Sequence, residues 1–542
     1  MKKIVFFLLF CISVSFAQEE VVKVESIKMN PKGEAILIEN INVIDVHTGK
    51  YNKQSVLIRD KKIVEIAKKI RENNTATIKI DGTGKWLLPG MIDSHVHLFQ
   101  SGSLYTRPDA FNLTRFRPYE DERKWLRQNA PDILKRYLQS GITTIIDIGG
   151  PMYNYKIRDL YSDHTSFPNI YITGPLISTY QPKAFDIEDS PIIKANTPEE
   201  AIELVKKQVP YKPDFIKIWY IKRGDANLNY EIVKATIDEE FVKMITSNNV
   251  SYIPTLMVSD KYTEAFTQKI AFSNEELRLS NPFPIKSFSD HKHLDNEEQF
   301  ERYKKNNIAY KKRQVEENLT EATNLKLLQH KNVNIATGTD AGNIGTLHAT
   351  SYQEEIRLMK EAGLSNLEII QASTINSAKV LDKDNEIGSI EVSKLADLII
   401  LENNPLEDIK ALQKISHVIK GGSIYHTKDV LIESPENIVQ RQVNAYNLGN
   451  VEAFLESFSD DIEVYTFTNI LKTKGKDEFK KGWATFFKKY PDLHCEIVNR
   501  TTRLNTVIDH ERIKYGDGDY SEAIVIYKIE NGKIAKIYFV RD

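Results

Sequence analysis

Two stretches rich in short β-type runs, residues 35–85 and 388–425, stand far apart in the chain and bracket a long middle segment. Both contain turn signals between their apolar runs, such as Asp81-Gly82-Thr83-Gly84 and Gly421-Gly422. Neither stretch is long enough to bury a full sheet face alone. We therefore expect them to pair into one discontinuous β-sandwich domain, made of residues 18–88 and 385–428, with the middle segment inserted between them.

The middle segment, residues 89–384, alternates near-continuous apolar runs with amphipathic helical stretches, which is typical of parallel βα units. Continuous apolar runs are expected for strands that are covered on both faces. The pattern predicts an α/β TIM-barrel. Its candidate strands are Gly90–Val96, Ile142–Ile148, Asn169–Leu176, Phe215–Tyr220, Val250–Leu256 and Val333–Thr339.

The length and charge of the chain limit the classes of function. A chain of 542 residues is too long for one compact core, so several folded units are expected. Its 73 basic and 75 acidic residues nearly cancel, which removes the electrostatic footprint of a nucleic-acid binder. No apolar run reaches the roughly 20 residues of a membrane span. We therefore expect a small-molecule substrate, no nucleic acid and no membrane span.

The first seventeen residues have the pattern of a cleaved secretory signal. Lys2 and Lys3 precede an apolar run, and Ser15-Phe16-Ala17 supplies a small-x-small cleavage site. The mature protein is expected to be exported to the periplasm or the extracellular space. Cys11 would leave with the signal, so Cys495 would have no disulfide partner in its own chain, and we expect it to be a buried core residue.

Polar residues suited to chemistry stand near the carboxyl ends of three candidate strands, where βα-barrels build their sites. They are His95 with His97, then Lys217, then Asp340. Residues two apart on a strand point to the same face, so both imidazoles of His95-Val96-His97 can reach one cation. A cation held by two imidazoles and a carboxylate lowers the pKa of bound water toward roughly 7 and polarises a carbonyl group.

These motifs together resemble the metal-dependent amidohydrolase superfamily, in its imidazolonepropionase and Xaa-Pro dipeptidase-like branch. The segment Leu88–His97 resembles the first-strand signature, Asp214–Trp219 the fourth-strand segment, and Thr337–Gly342 the eighth-strand segment. The resemblance implies that His95, His97, Lys217 and Asp340 bind metal, with Lys217 as a carbamate, and that Asp340 accepts the proton of the attacking water. It also places His348 in a loop where related proteins carry histidine.

Two points about individual residues stay open at this stage. An unmodified Lys217 could not bind metal and could instead extend its ammonium to solvent past the strand end. Tyr180, Tyr220 and His348 are candidate substrate-binding residues because of their strand-end positions, although buried packing is the alternative for the tyrosines.

The chain departs from the family pattern between Lys217 and Asp340. The family carries a histidine after strand five and another after strand six, whereas His291, His293 and His330 here follow no strand. A segment resembling the helix after strand four runs directly, at Glu239-Glu240, into one resembling the helix before strand seven. We therefore infer a loss of roughly 40 to 50 residues, about one and a half βα units. We expect a divalent metal, zinc first, with one ion rather than two.

The last part of the chain, residues 429–542, resembles SnoaL-like, nuclear transport factor 2-like domains, which are α+β units with a cone-shaped pocket. Ser434-Pro435-Glu436 predicts a helix start, and Asn531-Gly532 a hairpin turn. Along Asp509-His510-Glu511-Arg512, alternation places His510 and Arg512 on one face of a strand and the two acids on the other. Homo-oligomerisation through this domain is one role that the resemblance leaves open.

Two classes of function remain from the sequence. The first is a metal-dependent amidohydrolase that cleaves a C–N bond of a small amide, cyclic amide or dipeptide with a metal-activated water, impaired by the missing histidines. The second is a non-catalytic amidohydrolase-like protein that serves in binding or oligomerisation.

Overall fold

A computed structural model describes residues 35–219, 250–290, 297–316, 321–515 and 520–540. Several features predicted from the sequence lie outside these residues: the secretory signal, Tyr220, the Glu239-Glu240 junction, and the pair His291 and His293.

The described residues form strands and helices that follow the expected succession of units. In chain order, the strands are β1 Ile36–Ile44, β2 Tyr51–Arg59, β3 Lys62–Ala67, β4 Ile78–Asp81, β5 Trp86–Pro89, β6 Met91–Val96, β7 Ile142–Asp147, β8 Asn169–Ile172, β9 Leu176–Ser178, β10 Ile192–Lys194, β11 Ser251–Tyr252, β12 Asn334–Ile335, β13 Leu398–Leu401, β14 Ile415–Lys420, β15 Ser423–His426, β16 Phe458–Thr466, β17 Ile470–Lys474, β18 Leu493–Arg503, β19 Thr506–Tyr515, β20 Tyr520–Glu530 and β21 Lys533–Val540. The α-helices are α1 Tyr119–Gln139, α2 Tyr153–Tyr161, α3 Pro198–Gln208, α4 Val258–Phe266, α5 Asn274–Leu279, α6 Pro282–Asp290, α7 Glu297–Glu316, α8 Glu321–His330, α9 Ser351–Glu361, α10 Asn366–Ser373, α11 Ile375–Val380, α12 Thr427–Val430, α13 Pro435–Asn447, α14 Val451–Glu456 and α15 Lys476–Lys489.

One eight-stranded sheet contains strands from both β-rich stretches. Its order is β15-β14-β13-β5-β1-β2-β3, with β4 paired to β1. The two stretches meet where β13 runs antiparallel to β5, with Leu398 opposite Pro89 and Leu401 opposite Trp86. Apolar side chains such as Ile38, Leu87 and Ile400 are fully buried at this junction. Strand β6 follows β5 after a single residue, Gly90, so the sheet positions the strand that leads to His95.

The inserted segment forms a curved array of parallel strands. On one side of the sheet β6-β7-β8, Val96 of β6 forms an isolated parallel bridge with Ala341, in the segment after β12. Strand β12 itself pairs in parallel with β11. On the other side, the main-chain N–H of Asp214 donates to Ile172 at the end of β8. Residues 220–249, which follow the Lys217 segment and precede β11, lie outside the described residues. The closed TIM-barrel therefore stays a prediction, whereas the parallel arrangement is present.

Several strands of this array are shorter than the sequence predicted. The run Asn169–Leu176 is divided into β8 and β9 at Gly174-Pro175, because Gly174 has a φ of +75° and proline donates no hydrogen bond to a sheet. The run Phe215–Tyr220 contributes one isolated bridge, from Ile218 to Ile177. The three-residue strand β10 was not predicted, since so short a run gives no periodic signal.

The charge-rich stretch after β11 is helical, and it packs against the C-terminal domain. Helices α4 to α8 occupy most of its described residues. Buried residues of these helices, such as Phe266 and Ile285, share one apolar cluster with Val443 and Phe454 of the C-terminal domain. His330 is exposed at the end of α8. Within the described ranges, no helix combines the length and apolarity that a bilayer span requires.

The C-terminal domain is a curved six-stranded sheet, ordered β17-β16-β21-β20-β19-β18, with α13, α14 and α15 against it. The predicted start of α13 is confirmed, since the Ser434 side chain caps the helix and Pro435 is its first residue. The Asn531-Gly532 turn is also confirmed, with φ values of +50° and +73°. Cys495 is free and buried, as expected. Homo-oligomerisation through this domain stays a prediction.

The alternation along β19 separates its charged residues as predicted. On the outer face, His510 Nε2 lies 3.0 Å from Glu522 Oε2, and Arg512 Nε donates to Glu522 Oε1 at 2.9 Å. On the inner face, Asp509 accepts two hydrogen bonds from Arg500, at 2.7 and 2.6 Å, and Tyr527 donates to Glu511 Oε1 at 2.6 Å. The sequence did not reveal these inner partners, because they stand on other strands.

The burial of Glu511 on the inner face of the sheet can be tested by the pH dependence of protein stability. Burial raises the pKa of Glu511 from 4.5 to about 7, so its contribution to stability is complete below pH 4.5 and is lost as the pH rises through 7. Glu511→Gln stays neutral at every pH. Relative to wild type, we expect this variant to gain up to about 3 kcal/mol of stability between pH 4.5 and pH 8.5. Thermal melting across this range measures the difference.

The matched control for this measurement is Glu522→Gln on the outer face of the same sheet. The pKa of Glu522 is lowered by hydrogen bonds from His510 and Arg512, so its variant should not gain stability at high pH. A melting difference for Glu511→Gln that did not change with pH would contradict the burial argument.

Candidate metal centre

His95 and His97 are placed side by side by the local sequence of β6. His95 is on the strand, and His97 follows its last residue, Val96, so the two imidazoles share one face. Their ring centroids are 5.3 Å apart. Gly90, just before the strand, is required because a Cβ there would lie 2.1 Å from Thr143 Oγ1. The close approach of β6 to β7 therefore depends on this glycine.

Hydrogen bonding fixes the ring of His97. Its Nδ1 lies 3.1 Å from the carbonyl oxygen of Gly149, which only accepts, so Nδ1 carries the proton. In the neutral ring, Nε2 then has a free lone pair. That lone pair faces Asp340 Oδ1 at 2.9 Å. Two acceptors at this distance need a cation or a proton between them.

Asp340 completes the group from the segment after β12. The ligand atoms of His95, His97 and Asp340 all lie within 4.8 Å of one another, and His95 Nε2 is 3.4 Å from Asp340 Oδ1. Ligands of a tetrahedral zinc ion at about 2.0 Å stand roughly 3.3 Å apart. With the His97 proton on Nδ1, the buried Asp340 Oδ1 has no hydrogen-bond donor, which suits an atom that binds a metal. The donor set therefore fits a divalent cation.

The protonation states also suit a metal centre. Burial lowers the pKa of His95 to about 4, so its imidazole is neutral and able to bind a cation. Burial alone would raise the pKa of Asp340, but His95 and His97 outweigh it and hold this pKa at about 2. Side-chain exposures of 20% for His95 and 18% for Asp340 leave the group reachable from solvent.

Lys217 lies in the segment that runs beside β9, one residue before the isolated bridge at Ile218. Its carbonyl accepts from Ile177 N at 3.0 Å, and its side chain is half-buried. Burial lowers the pKa of Lys217, against the opposing effect of Asp340. A lower pKa increases the neutral amine fraction, which is the form that reacts with carbon dioxide. The carbamate stays a prediction.

The three predicted substrate-binding residues have different surroundings. Tyr180 follows β9 and lines an open cavity of about 550 Å³ together with Asp109 and Lys183. His348 is buried, and both its nitrogens are occupied: Nδ1 by the Tyr137 hydroxyl at 2.8 Å and Nε2 by the Gln100 carbonyl at 2.7 Å. The geometry therefore gives His348 a structural role and no support for substrate binding. Tyr220 lies outside the described residues.

Sequence reasoning did not find the buried carboxylate of Asp93. This side chain accepts from Thr339 N at 3.0 Å and from Thr339 Oγ1 at 2.7 Å, and burial raises its pKa to about 7. It thereby ties β6 to the segment that carries Asp340. The available signal was a carboxylate inside the apolar run of β6, two residues before His95, where an acid must have buried partners.

In the part of the chain that the structure describes, His95, His97 and Asp340 form the one group of three or more potential metal ligands. The histidines that would build a second site in the amidohydrolase pattern are not supplied by described residues. One ion rather than two remains the expectation.

Known families match two parts of the chain. Residues 287–425 match the Amidohydrolase family, and residues 439–537 match the SnoaL-like domain. The first range includes Asp340, while His95 and His97 precede it.

Curated relatives include two deaminases. The chain is 25% identical over 407 residues to 5'-deoxyadenosine deaminase of Methanobrevibacter smithii, a match that covers 68% of this chain and 84% of that protein. It is 21% identical over 423 residues to adenine deaminase 1 of Latilactobacillus sakei, covering 77% and 61%.

Solved structures share the fold. A Xaa-Pro dipeptidase with bound methionine superposes with a TM-score of 0.53 at 22% identity, over 72% of this chain and 100% of that one. A putative prolidase from Bifidobacterium longum gives a TM-score of 0.51 at 23% identity, over 73% and 95%. The resemblance read from the sequence is thus confirmed at the level of domains: residues 287–425 match an amidohydrolase family domain, and residues 439–537 match a SnoaL-like domain.

Gly342, in the turn after Asp340, offers a test of how tightly the centre is built. It has a φ of +105°, and a Cβ there would lie 2.5 Å from the His97 carbonyl oxygen and 2.8 Å from that of Gln100. We expect Gly342→Ala to cost about 3 kcal/mol of stability, since the main chain must move. Urea unfolding measures the change.

The control is Gly84→Ala. Gly84 also has a positive φ, +78°, but no atom lies within 4 Å of its Cβ position, so only backbone strain of about 1 kcal/mol applies. Equal losses in the two variants would contradict the close packing of His97 against the Asp340 turn.

Proposed function

We propose that this protein is a metal-dependent hydrolase that cleaves a C–N bond of a small amide, cyclic amide or dipeptide. The observation that carries the proposal is the convergence of His95, His97 and Asp340 within 4.8 Å. Two imidazoles and a carboxylate are a ligand set of catalytic zinc sites, which leave a position open for water or substrate. Zinc is therefore the proposed ion, at one per chain.

The side chains divide the chemical work. A divalent cation, when bound, supplies Lewis acidity that polarises a carbonyl and makes water more acidic. His95 and His97 would hold it through Nε2, with the His97 ring oriented by Gly149. Asp340, whose low pKa keeps it ionised at neutral pH, is the general base that accepts the proton of the attacking water. The same carboxyl can then return the proton to the leaving nitrogen.

The names of similar proteins support this class of substrate. The relatives carry names of deaminases, and a dihydroorotase of Carboxydothermus hydrogenoformans is 45% identical over 67 residues, which cover 15% of that protein. The structural neighbours carry names of dipeptidases and prolidases. All these activities act on carbon–nitrogen bonds. Which of them applies here is a question for substrate screening.

The non-catalytic alternative is less well supported than the enzyme. A binding or oligomerisation protein has no need for three ligand side chains that converge with one orphaned carboxylate oxygen. Without the histidines that the family pattern places after strands five and six, we expect a lower rate of hydrolysis and no second metal ion. We propose a mononuclear centre with lower activity than a two-metal relative would have.

The decisive experiment compares wild type with His95→Ala. Purified full-length mature protein is loaded with zinc in bicarbonate buffer, and bound metal is counted after desalting. We expect one zinc per chain in wild type and none in the variant, because two remaining ligands cannot hold the ion tightly. On a panel of Xaa-Pro dipeptides, dihydroorotate, adenine and 5'-deoxyadenosine, activity should fall at least 10³-fold in the variant.

His417→Ala is the matched control, since His417 is a half-buried histidine of β14 in the eight-stranded sheet. It should keep the metal content and activity of wild type. Activity that is equal in wild type and His95→Ala would overturn the proposed mechanism, and two tightly bound ions would overturn the mononuclear centre.

We also propose that the protein is exported to the periplasm or beyond. The support is the sequence of residues 1–17, with its two lysines, apolar run and Ser15-Phe16-Ala17 site. Expression of the full chain in a Gram-negative host should give a mature protein that begins at Gln18 in the periplasmic fraction. N-terminal sequencing checks this, and an intact Met1 in the cytosol would contradict it.

A further inference from the structure

A network of three polar side chains stands behind Asp340, and no step of the proposed chemistry uses it. Its members are Asn343, Arg107 and Tyr262. Asn343 is 3% exposed and follows Asp340 by three residues. Arg107 belongs to the loop after His97, and Tyr262 belongs to α4. The network therefore joins three separate parts of the chain at one buried amide.

The hydrogen bonds fix the orientation of the Asn343 amide. Its Oδ1 accepts from Arg107 Nη1 at 2.7 Å and from the Tyr262 hydroxyl at 2.9 Å. Since oxygen takes both donors, Nδ2 points the other way, and it donates to the carbonyl oxygen of Asp340 at 3.3 Å. The main-chain N–H of Asn343 donates to the same carbonyl, also at 3.3 Å.

Asp340 needs such support because its backbone is strained. Its φ is +54°, a left-handed conformation that costs a non-glycine residue roughly 1–3 kcal/mol. Its N–H is held by the carbonyl of His95 at 2.7 Å, so the conformation depends on what holds the carbonyl at the other end. That partner is Asn343. The direction of the Asp340 carboxylate follows from this backbone conformation.

Arg107 acts in this network as a fixed donor. Its Nε and Nη2 bind both oxygens of Asp109, at 2.8 and 2.7 Å. The carboxylate balances the charge of the guanidinium, which argues against Arg107 as a receptor for a substrate anion. The two hydrogen bonds to Asp109 hold the guanidinium group in place, so that Nη1 points at Asn343 Oδ1.

From this geometry we propose that Asn343 is a positioning residue for Asp340. Held by Arg107 and Tyr262, it fixes the left-handed turn that aims the Asp340 carboxylate at the nitrogens of His95 and His97. The inference rests on the proposed metal centre and adds to it the part of the chain that orients its carboxylate. Groups that orient metal ligands commonly change metal affinity 10- to 100-fold when they are removed.

The test measures zinc affinity by competition with a chelator, together with the visible spectrum of the Co²⁺-loaded protein. In Asn343→Ala, the zinc dissociation constant should rise 10- to 100-fold, and the Co²⁺ bands should shift as the carboxylate loses its orientation. Tyr262→Phe keeps the side-chain volume and removes one of two donors to Asn343. It should raise the zinc dissociation constant measurably but by less than 10-fold, and it serves as the second variant if Asn343→Ala does not fold.

The matched control is Asn366→Ala, which removes a hydrogen bond of the same kind. In it, the side-chain amide of Asn366 donates through Nδ2 to the Leu406 carbonyl oxygen at 2.9 Å. This control should bind zinc as wild type does. The proposal is overturned if Asn343→Ala and Tyr262→Phe both keep the zinc affinity and the Co²⁺ spectrum of wild type.

The outcomes separate this proposal from the proposed function. Zinc binding that weakens in Asn343→Ala, in a wild type that hydrolyses no substrate, would support Asn343 and overturn the hydrolase. Hydrolysis by the wild type, with a zinc affinity that is unchanged in both Asn343→Ala and Tyr262→Phe, would support the hydrolase and overturn the positioning role of Asn343. A wild type that binds no zinc would overturn both.

Discussion

The 2.9 Å approach of His97 Nε2 to Asp340 Oδ1 is the contact on which the rest of the site depends. With Nδ1 of His97 committed to the Gly149 carbonyl, the facing atoms are a lone pair and a carboxylate oxygen. In water such groups would separate, and inside a protein they must be held together or bridged by a positive charge. The surrounding structure does the holding.

Three structural features bring His97 and Asp340 together: a glycine, a pair of buried hydrogen bonds and a strand pairing. Gly90 lets β6 approach β7, because any Cβ would meet Thr143. Asp93 ties β6 to Thr339 in the segment that carries Asp340. The β5–β13 pairing then fixes the start of β6 against the β-rich stretch that follows the inserted segment. The eight-stranded sheet is therefore part of the support of the metal centre.

The C-terminal domain is connected to the same support through a shared apolar core. Phe111, in the loop that carries Arg107, packs against Phe266 of α4 and Phe300 of α7, with ring centroids 5.3 and 4.6 Å apart. The same core continues into α13 and the C-terminal sheet. Asn444 of α13 donates to the Pro282 carbonyl at 2.6 Å, which fixes this domain on α6. The C-terminal domain therefore supports α4, the helix that carries Tyr262, through this shared core.

The sequence predicted the parts of this protein that follow from periodicity. Two imidazoles at positions 95 and 97 share a face because side chains alternate along a strand, and the same rule separated Asp509 and Glu511 from His510 and Arg512. The motif around Asp340 carried enough resemblance to be recognised, but its φ of +54° could not be read from the residues. Asn343 was missed for this reason. It holds the carbonyl oxygen of the strained Asp340, and its own donors, Arg107 and Tyr262, stand far from it in the sequence.

For His348, by contrast, the family resemblance predicted the position of the residue correctly, but its role depends on local contacts that the sequence does not show. A histidine after the eighth strand matched the family pattern, yet Tyr137 and Gln100 occupy both of its nitrogens here. Burial lowers the pKa of His348 to about 4, so the ring stays neutral and serves as a link between α1 and the loop after His97. Its neighbour in the loop, Gln100, lies against Gly342 in the Asp340 turn. His348 thus contributes to the centre by holding the Gln100 main chain, which packs against the turn after Asp340.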